Sequence, residues 1–516
     1  MAPTSGSAYD RRWWTLLVLS ISLLVISLDN TILNVALPTI ERDLGASSSQ
    51  LQWIVDSYTL VFAGLLLTLG SLGDRFGRRL GLVIGLVVFG AGSLASALAT
   101  SADMLIVTRG LMGVGGALIM PSTLSILTNV FPAHERPKAI GIWAAVAGLG
   151  IAIGPVGGGW LIEHFDWGSV FLVNLPVVAV ALAAIPAFVP ESRDPAESRL
   201  DPLGALLSTA GLGVLTWAII EGQNGWTETK ILAGFAFAIV TLTAFVIWEL
   251  RTETPMLDVR LFRLPRFSGA SASIALVFFA LFGAIFFLTM YLQEVKDYSA
   301  LSAGVRVTPI ALGLILGGPL SAKLAGRLGT RIVVAAGLTT VAAALFVMSG
   351  MTPDTGYGVI GGSLVLMGLG MGTTMAPATE SIMSTLPLAH AGVGSAMNDT
   401  VRMVGGTLGV AILGSLLSSQ YGANMHGAVA GLPEPARSAA EGSIGGAGAV
   451  AQHVGGHAGA TLNSLAETAY TSAMGTTLTV AAAVALAGAL VALTVLPGRE
   501  RERAEKGVLA VEGAAA

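Results

Sequence analysis

The chain contains no cysteine among its 516 residues, so it has no disulfide framework and no thiolate metal site. Charged residues are also scarce, at 11%, whereas soluble domains carry about 25%. The formal net charge is −4 and no basic domain is present, which argues against a nucleic-acid partner. Hydrophobic residues instead make up 53% of the sequence and the mean hydropathy is +0.77, a composition typical of a chain that lies in a lipid bilayer.

Motifs of enzymes and cofactor sites are missing as well. The pairs Gly113-x-Gly115 and Gly148-x-Gly150 lie inside apolar segments with no strand before them, which excludes a nucleotide-binding loop. No His-Glu-x-x-His or Gly-x-Ser-x-Gly pattern occurs, and His453 and His457 lack a third metal ligand nearby. We therefore expect no enzyme activity, no cofactor and no metal. A membrane enzyme or a sensor is the alternative class, which the absence of these motifs and of a soluble domain disfavours.

Apolar segments long enough to cross a membrane recur along the whole chain. A crossing helix needs about 20 mostly apolar residues. Fourteen such spans are predicted, at 14–38, 50–71, 81–99, 103–127, 137–162, 169–188, 203–220, 231–248, 268–293, 303–325, 331–350, 357–385, 393–418 and 475–496. The first is too long to be the apolar region of a cleaved signal peptide.

The distribution of arginine and lysine predicts the orientation of these spans. With both termini on the cytoplasmic side, most of the 27 basic residues fall in cytoplasmic segments, and only four are clearly external. Those four are Arg42, Lys230, Lys296 and Arg437. Because basic loops stay on the cytoplasmic side, this asymmetry favours an even number of spans.

A weak internal repeat divides the spans into two sets. The segment 325–331 resembles 73–79 at an offset of 252 residues, which pairs the second span with the tenth and the fifth with the thirteenth. We predict an N-terminal six-helix bundle at 13–188, two inserted helices at 203–249, and a C-terminal six-helix bundle at 268–497. The stretch 419–474, rich in Ala, Gly and Ser, is predicted to be a long external segment that is partly helical.

The loop at 70–79 is the most specific motif. It reads Gly-Ser-Leu-Gly-Asp-Arg-Phe-Gly-Arg-Arg between two membrane-length segments. It resembles the loop between the second and third helices of the major facilitator superfamily, in the form G-x-x-x-D-R-x-G-R-R. The residues that match this conformational motif are Gly70, Asp74, Arg75, Gly77, Arg78 and Arg79. The resemblance implies that Asp74 and Arg78 bridge the two halves on the cytoplasmic side and stabilise the outward-open state.

The fifth span narrows the resemblance to drug exporters. It contains the glycines and proline of the antiporter motif of exporting facilitators, namely Gly150, Gly154, Pro155, Gly158 and Gly159. Physically, the glycines form a flat helix face, and a proline bends the chain. Spans 1, 2 and 13 also resemble the fourteen-span drug/proton antiporter family, over about residues 13–418 and 475–497. One departure is Met112, where many relatives carry glutamine.

Three ionisable residues lie deep in the predicted N-terminal bundle. At ~1.5 Å per residue from the outer ends of their spans, Asp29 lies ~14 Å deep, and Asp56 and Arg109 each ~9 Å. Charges in the hydrocarbon layer are costly and usually face a cavity or a partner. We expect Asp29 to alternate between a proton and a cationic substrate, with Arg109 easing the release of the proton. Asp56 has a second interpretation, as a residue of the outer rim.

The predicted C-terminal bundle contributes Glu380, Asp399 and Arg402, all toward its inner third. Asp399 and Arg402 are three residues apart on one helix, so a purely structural ion pair is an equal alternative to a coupling role. Glu380 lies near the inner end of its span and has an interfacial position as its alternative.

The expected fold is an all-α membrane protein with the major facilitator fold, two six-helix bundles plus two inserted helices. The expected function is that of a multidrug exporter, a proton-coupled antiporter that moves lipophilic, cationic compounds out through the bacterial cytoplasmic membrane. A transporter of one endogenous metabolite or antibiotic is the alternative, and the antiporter motif argues against import. The expected partners are a small lipophilic substrate, protons and the lipid bilayer, with the chain acting as a monomer.

Overall fold

The computed structural model describes residues 10–46, 48–193, 201–222, 225–253 and 255–498, and these residues form helices without a strand. The first eight long helices are α1 Arg12–Leu44, α2 Ser48–Phe76, α3 Arg78–Ala97, α4 Ala102–Val130, α5 Arg136–His164, α6 Ser169–Phe188, α7 Pro202–Gly222 and α8 Thr229–Arg251. The remaining helices are α9 Pro265–Val295, α10 Leu301–Leu328, α11 Thr330–Ser349, α12 Tyr357–Met383, α13 Ala391–His426, α14 Glu434–Gly442, α15 Ile444–Val454 and α16 Gly456–Val495.

Helices α1 to α13 coincide with the first thirteen predicted spans, and α16 contains the last. Thirteen helices in the described part of the chain are long and apolar enough to cross a membrane. Among the helices that match the fourteen predicted spans, the one outside those thirteen is α5, which has 29 helical residues at the position of the fifth span. The all-helical membrane fold is thus confirmed, and the count of fourteen spans is closely approached.

The stretch 419–474 is more regular than an external loop. Helix α13 continues to His426, and α16 begins at Gly456 rather than at residue 475. The short helices α14 and α15 fill most of the intervening residues. His453 and His457 lie in different helices, separated by Gly455 and Gly456 with positive φ angles, so they do not form a ligand pair on one helix face.

The sequence repeat has a counterpart in the backbone. Gly77 and Gly329, which the offset of 252 pairs, both have positive φ, at 125° and 88°. Each is the residue before a new helix, α3 or α11. Only glycine adopts this conformation without strain, which explains why the two short loops share a glycine.

Two helix packings also repeat. In α5, Gly154 lies against Thr31 of α1, and in α13, Gly406 lies against Phe282 of α9. Helices α7 and α8, which are predicted to be inserted between the bundles, pack on each other, and α7 also contacts α2 and α13. The chain segments at 76–78, 188–193, 255–265 and 383–391 lie at one end of the bundle, which we call the arginine-rich face.

Candidate functional site: a buried carboxylate and a gate between α2 and α13

The centre of the site is an ion pair between α1 and α4. The Arg109 guanidinium donates to a carboxylate oxygen of Asp29 at 2.5 Å, and both side chains are buried, at 1% and 0% exposure. Arg109 also donates to the Ile54 carbonyl of α2 at 3.2 Å and lies 4.6 Å from the centre of the Tyr58 ring. The charge of Arg109 is therefore held by a carboxylate, a carbonyl and an aromatic face.

Asp29 has a second partner that the sequence analysis missed. The Asn174 side-chain amide of α6 donates to the other Asp29 oxygen at 3.1 Å and to the Ser93 hydroxyl of α3 at 3.1 Å. Asn174 is completely buried. The available signal was an amide in the otherwise apolar span 169–188, since a buried amide in a membrane helix usually hydrogen-bonds to another helix.

Met112 supplies a soft contact to Arg109. Its sulfur lies 3.7 Å from an Arg109 nitrogen and 3.5 Å from the Ser96 hydroxyl. A thioether is a weak acceptor, so it contacts the guanidinium without competing with the Asp29 carboxylate. With methionine at residue 112, Asp29 therefore remains the dominant partner of Arg109.

The structure does not bring Asp56 into this ion pair. Asp56 is half-buried on α2, hydrogen-bonds with Gln52 one turn earlier, and is close enough to Glu221, at the end of α7, to feel its charge. It therefore lies toward the inserted helices, although its predicted depth is close to that of Arg109. Depth along a span does not specify which face of the helix a residue occupies.

A second ion pair lies on α13. The Arg402 guanidinium donates to Asp399 at 3.2 Å, and the other oxygen of Asp399 is buried without a hydrogen-bond partner. Arg402 also lies 4.7 Å from the Phe278 ring of α9 and 5.8 Å from the Trp143 ring of α5. The pair therefore lies where the two predicted bundles meet, and its unsatisfied oxygen can accept a proton or a donor from a ligand.

Glu380 occupies a different part of the same region. It is half-buried near the end of α12, beside Thr379, whose hydroxyl donates to the Asn398 side chain at 3.1 Å. Asn398 precedes Asp399 on α13 and lies 3.4 Å from its carboxylate. A polar chain thus links α12 to the second ion pair.

The glycines of α5 form two packing faces. Gly150, Gly154 and Gly158 contact α1, and a Cβ on Gly154 would overlap the Thr31 hydroxyl while one on Gly158 would lie 2.7 Å from Ile32. The Thr31 hydroxyl in turn donates to the Gly150 carbonyl at 3.2 Å. Because Thr31 is two residues from Asp29, this face fixes the part of α1 that carries the buried carboxylate.

The other face of α5 meets α10. A Cβ on Gly159 would lie 2.7 Å from Leu301, and one on Gly141 would lie 3.0 Å from the backbone of Gly318. Pro155 lies within the helical turns between these contacts. The glycines of the antiporter motif therefore bring α5 close to one helix of each predicted bundle.

Asp74 and Arg78 connect α2 and α3 to the start of α13. The Asp74 carboxylate accepts hydrogen bonds from the backbone of Gly392 at 2.8 Å and Val393 at 3.0 Å. Arg78 donates to Asp74 at 2.7 Å and to the carbonyls of Leu388 and Ala389 at 2.6 and 2.7 Å. Asp74 is thus an N-cap supplied by another helix, and its charge also favours the positive end of the α13 dipole.

The rest of the loop supports this connection, here called the gate. A Cβ on Gly70 would lie 2.7 Å from Ala396, so a larger residue would separate α2 from α13. The Arg79 backbone donates to Glu191 at 3.1 Å, whereas the guanidinium of Arg75 lies 5.6 Å from the Phe76 ring. Gly70, Asp74 and Arg78 therefore form the gate, and Arg75 and Arg79 lie beside it.

A further ion pair fixes α1 at the arginine-rich face. Arg12 donates to Glu135 at 2.7 and 3.1 Å, and Glu135 directly precedes α5. The hydrogen bond from Arg12 lowers the pKa of the Glu135 carboxyl below its ordinary value. This pair is partly exposed, so it orients the helix ends and adds little stability.

Comparison with known proteins identifies the family. Residues 19–410 match the model of the Major Facilitator Superfamily. The chain is 37% identical to the multidrug efflux pump LfrA of Mycolicibacterium smegmatis over 490 residues, which cover 95% of this chain and 97% of the relative. It is 36% identical to the tetracenomycin C resistance and export protein of Streptomyces glaucescens, covering 97% and 95%.

A solved structure shares the fold at low sequence identity. The human organic anion transporter MFSD10 superimposes with a TM-score of 0.61 at 15% identity, covering 94% of this chain and all of that structure. The matched family model, the extensive similarity to both relatives and the shared fold lead to one conclusion: the chain belongs to the Major Facilitator Superfamily.

Proposed function

We propose that this protein is a proton-coupled antiporter that exports lipophilic cations across the bacterial cytoplasmic membrane. The observation that carries the proposal is the buried carboxylate of Asp29, whose ion-pair partner is a cation held over an aromatic ring. A surrounding that holds a guanidinium between a carboxylate and a tyrosine face also suits a flat organic cation. Asp29 is then the residue that binds either the substrate or a proton.

The proposed coupling follows from charge balance. Arg109 keeps its proton in proteins, so only the carboxylate can change its charge. When Asp29 takes a proton, its attraction for a cation falls and the substrate leaves. When the proton leaves, Arg109 and the substrate compete for the carboxylate. Asp399, with one unpaired oxygen, provides a second carboxylate for the same exchange at the boundary of the bundles.

The arginine-rich face is proposed to be cytoplasmic, with both termini on that side, because loops rich in arginine resist translocation. The two predicted bundles, 13–188 and 268–497, then move against each other around the site, and the gate at Asp74 closes the cytoplasmic side. The helices at 203–249 are inserted between them. The chain is proposed to work as a monomer.

The name of the relative LfrA as a multidrug efflux pump supports export of several compounds. We test the proposal in everted membrane vesicles, in which the cytoplasmic face is outside. An acidic vesicle interior should drive uptake of ethidium, and nigericin, which exchanges protons for potassium, should stop it in potassium buffer. Uptake that survives nigericin, or vesicles with no uptake under any gradient, would contradict proton antiport.

A second candidate is export of one endogenous metabolite or antibiotic by the same fold. It is favoured by the similarity to a protein named for resistance to and export of tetracenomycin C. A susceptibility panel separates the two, because a multidrug exporter protects cells against several unrelated cations, whereas a dedicated exporter protects against one compound or none of the panel.

A further inference from the structure

The two inserted helices end at the arginine-rich face in a pair of carboxylates. Asp201, at the start of α7, accepts a hydrogen bond from the backbone of Gly204 at 2.8 Å and from the Trp248 indole at 2.8 Å. Glu249, in the last turn of α8, is only 2% exposed. One of its oxygens accepts from the Leu257 backbone at 3.2 Å, and the other oxygen has no hydrogen-bond partner.

The unpartnered oxygen of Glu249 lies beside Gly204, as does an oxygen of Asp201 that also accepts the Trp248 indole at 3.0 Å. A Cβ on Gly204 would lie 2.7 Å from this oxygen and would also overlap an Asp201 oxygen, so both atoms lie against the same bare face of the glycine. Asp201 and Asp258 both place a negative charge near Glu249, and the backbone amides of Leu257 and Met256 oppose their effect. A buried carboxylate oxygen beside like charges is costly unless it is neutralised or hydrogen-bonded.

A single proton meets this requirement. Placed on the free oxygen of Glu249, it converts that atom from an unsatisfied acceptor into a donor toward Asp201. A side chain at residue 204 would not fit beside these two carboxylates, whereas a proton takes up almost no space. With one proton, the free oxygen of Glu249 gains a hydrogen-bond partner. Without that proton, the two negative carboxylates repel each other.

Glu249 also holds a segment that packs against the gate. Its bond to Leu257 fixes the turn in which Met256 and Leu257 are buried, at 7% and 3% exposure. These two side chains form one apolar cluster with Leu67 of α2 and with Val393 and Ala396 of α13. Val393 is also one of the residues that Asp74 caps. Glu249 thus acts on both sides of the gate through one short segment.

We propose that Glu249 and Asp201 bind one proton between them, and that this proton controls how firmly residues 256–257 hold α2 and α13 together. The protonated pair keeps the segment docked and the gate closed. Loss of the proton leaves two repelling carboxylates at Gly204, which loosens the segment and favours opening. The site senses the pH at the arginine-rich face; that this face is cytoplasmic rests on the proposed function.

The test measures the docking of this segment directly. Because the chain has no cysteine, cysteines introduced at the exposed residues Leu80 and Glu253 can carry the only two spin labels. Pulsed electron paramagnetic resonance on the full-length protein in nanodiscs then gives the distance distribution between pH 5.5 and 8.5. We expect a narrow distribution at low pH that broadens toward longer distances at high pH.

Glu249→Gln should keep the narrow distribution at every pH, since its amide can donate to Asp201 as the proton does. Asp201→Asn should also abolish the pH response, and this second variant tests the proposal if Glu249→Gln does not fold. The matched control is Glu228→Gln, an exposed carboxylate at the other end of α8, which should respond like the parent. A parent without a pH response, or variants that respond as the parent does, would overturn the proposal. The distance measurement does not depend on transport activity. It can therefore refute this site without refuting proton antiport, and the transport assay can do the reverse.

Discussion

At the scale of single residues, the buried ion pair of Asp29 and Arg109 determines what the centre of the molecule can bind. Position along the spans was enough to place both residues deep in the predicted N-terminal bundle, at ~14 Å for Asp29 and ~9 Å for Arg109. It was not enough to find Asn174 or to separate Asp56 from the pair, because an apolar helix gives no periodic signal for its inward face. The two charged residues of the pair were therefore predictable, whereas the partner Asn174 and the separate position of Asp56 were not.

Asp29→Asn should abolish export of ethidium. The amide cannot alternate between a proton and a cation, and it leaves Arg109 as an unpaired buried charge, a loss of about 3–5 kcal/mol for a broken buried pair. Efflux from loaded cells and the thermal midpoint of the purified variant check both effects. Asp103→Asn, at an exposed carboxylate on α4, is the control and should behave like the parent. Normal efflux in the first variant would remove Asp29 from the mechanism.

Arg109→Ala should uncouple transport from the proton gradient while substrate still binds. Without the guanidinium, no fixed cation competes for Asp29 or promotes release of its proton. Binding of tetraphenylphosphonium by isothermal calorimetry and gradient-driven uptake in vesicles measure the two properties separately. Loss of binding together with retained coupling would show that the role assigned to Arg109 is wrong.

At the scale of helices, close approach at glycine explains how α5 contacts both predicted bundles. The Gly-Pro-x-x-Gly-Gly spacing predicted a flat face, and α5 has two such faces, toward α1 and toward α10. Which glycine meets which helix could not be predicted, because spacing on one helix does not specify its neighbours. The partners become evident only from the packed structure.

Gly154→Ala should impair folding and export, whereas Gly157→Ala should not. The new methyl group at residue 154 overlaps the Thr31 hydroxyl, and overpacking of this kind costs about 1–3 kcal/mol. At residue 157 no atom lies within 4 Å of the added methyl group. Thermal midpoints and ethidium efflux of the two variants make the comparison. Equal behaviour of the pair would mean that α1 and α5 are not held by this contact.

Asp74→Asn should open the gate more often. It removes the charge that caps α13 and leaves the buried Arg78 without its carboxylate. The buried Ser395 can be replaced by cysteine, and its reaction with a maleimide from the arginine-rich face in everted vesicles then reports opening. We expect faster labelling and slower turnover in Asp74→Asn, and no change in the exposed control Glu228→Gln. Unchanged labelling would mean that the loop determines only the orientation of the helices in the membrane and does not control opening.

At the scale of the whole molecule, hydropathy predicted the all-helical membrane fold, and a short repeat predicts two related bundles. The repeat is weak in sequence, yet Gly77 and Gly329 share the same unusual backbone conformation. Helix ends were less predictable. Helix α16 begins at Gly456 because the alanines before residue 475 favour a helix and no proline interrupts residues 456–474.

Binding of a lipophilic cation should weaken as the pH falls, and it should release protons. Both ligands compete for one carboxylate, so each proton bound removes a cation site, and by linkage each cation bound displaces a proton. Calorimetry in buffers of different ionisation enthalpy between pH 5 and 8 measures the released protons. Binding that is independent of pH, with transport that survives an ionophore, would leave facilitated diffusion or sodium coupling.

The cap that Asp74 provides to α13 has a consequence for water. The first amides of a helix have no partner within the helix, and here those of Gly392 and Val393 depend on a carboxylate that belongs to another helix. Whenever the gate opens, these two amides must exchange that partner for solvent. Their hydrogen–deuterium exchange therefore counts openings of the gate in the unlabelled, unmodified protein, and the rate should rise in step with the time spent open to the arginine-rich face.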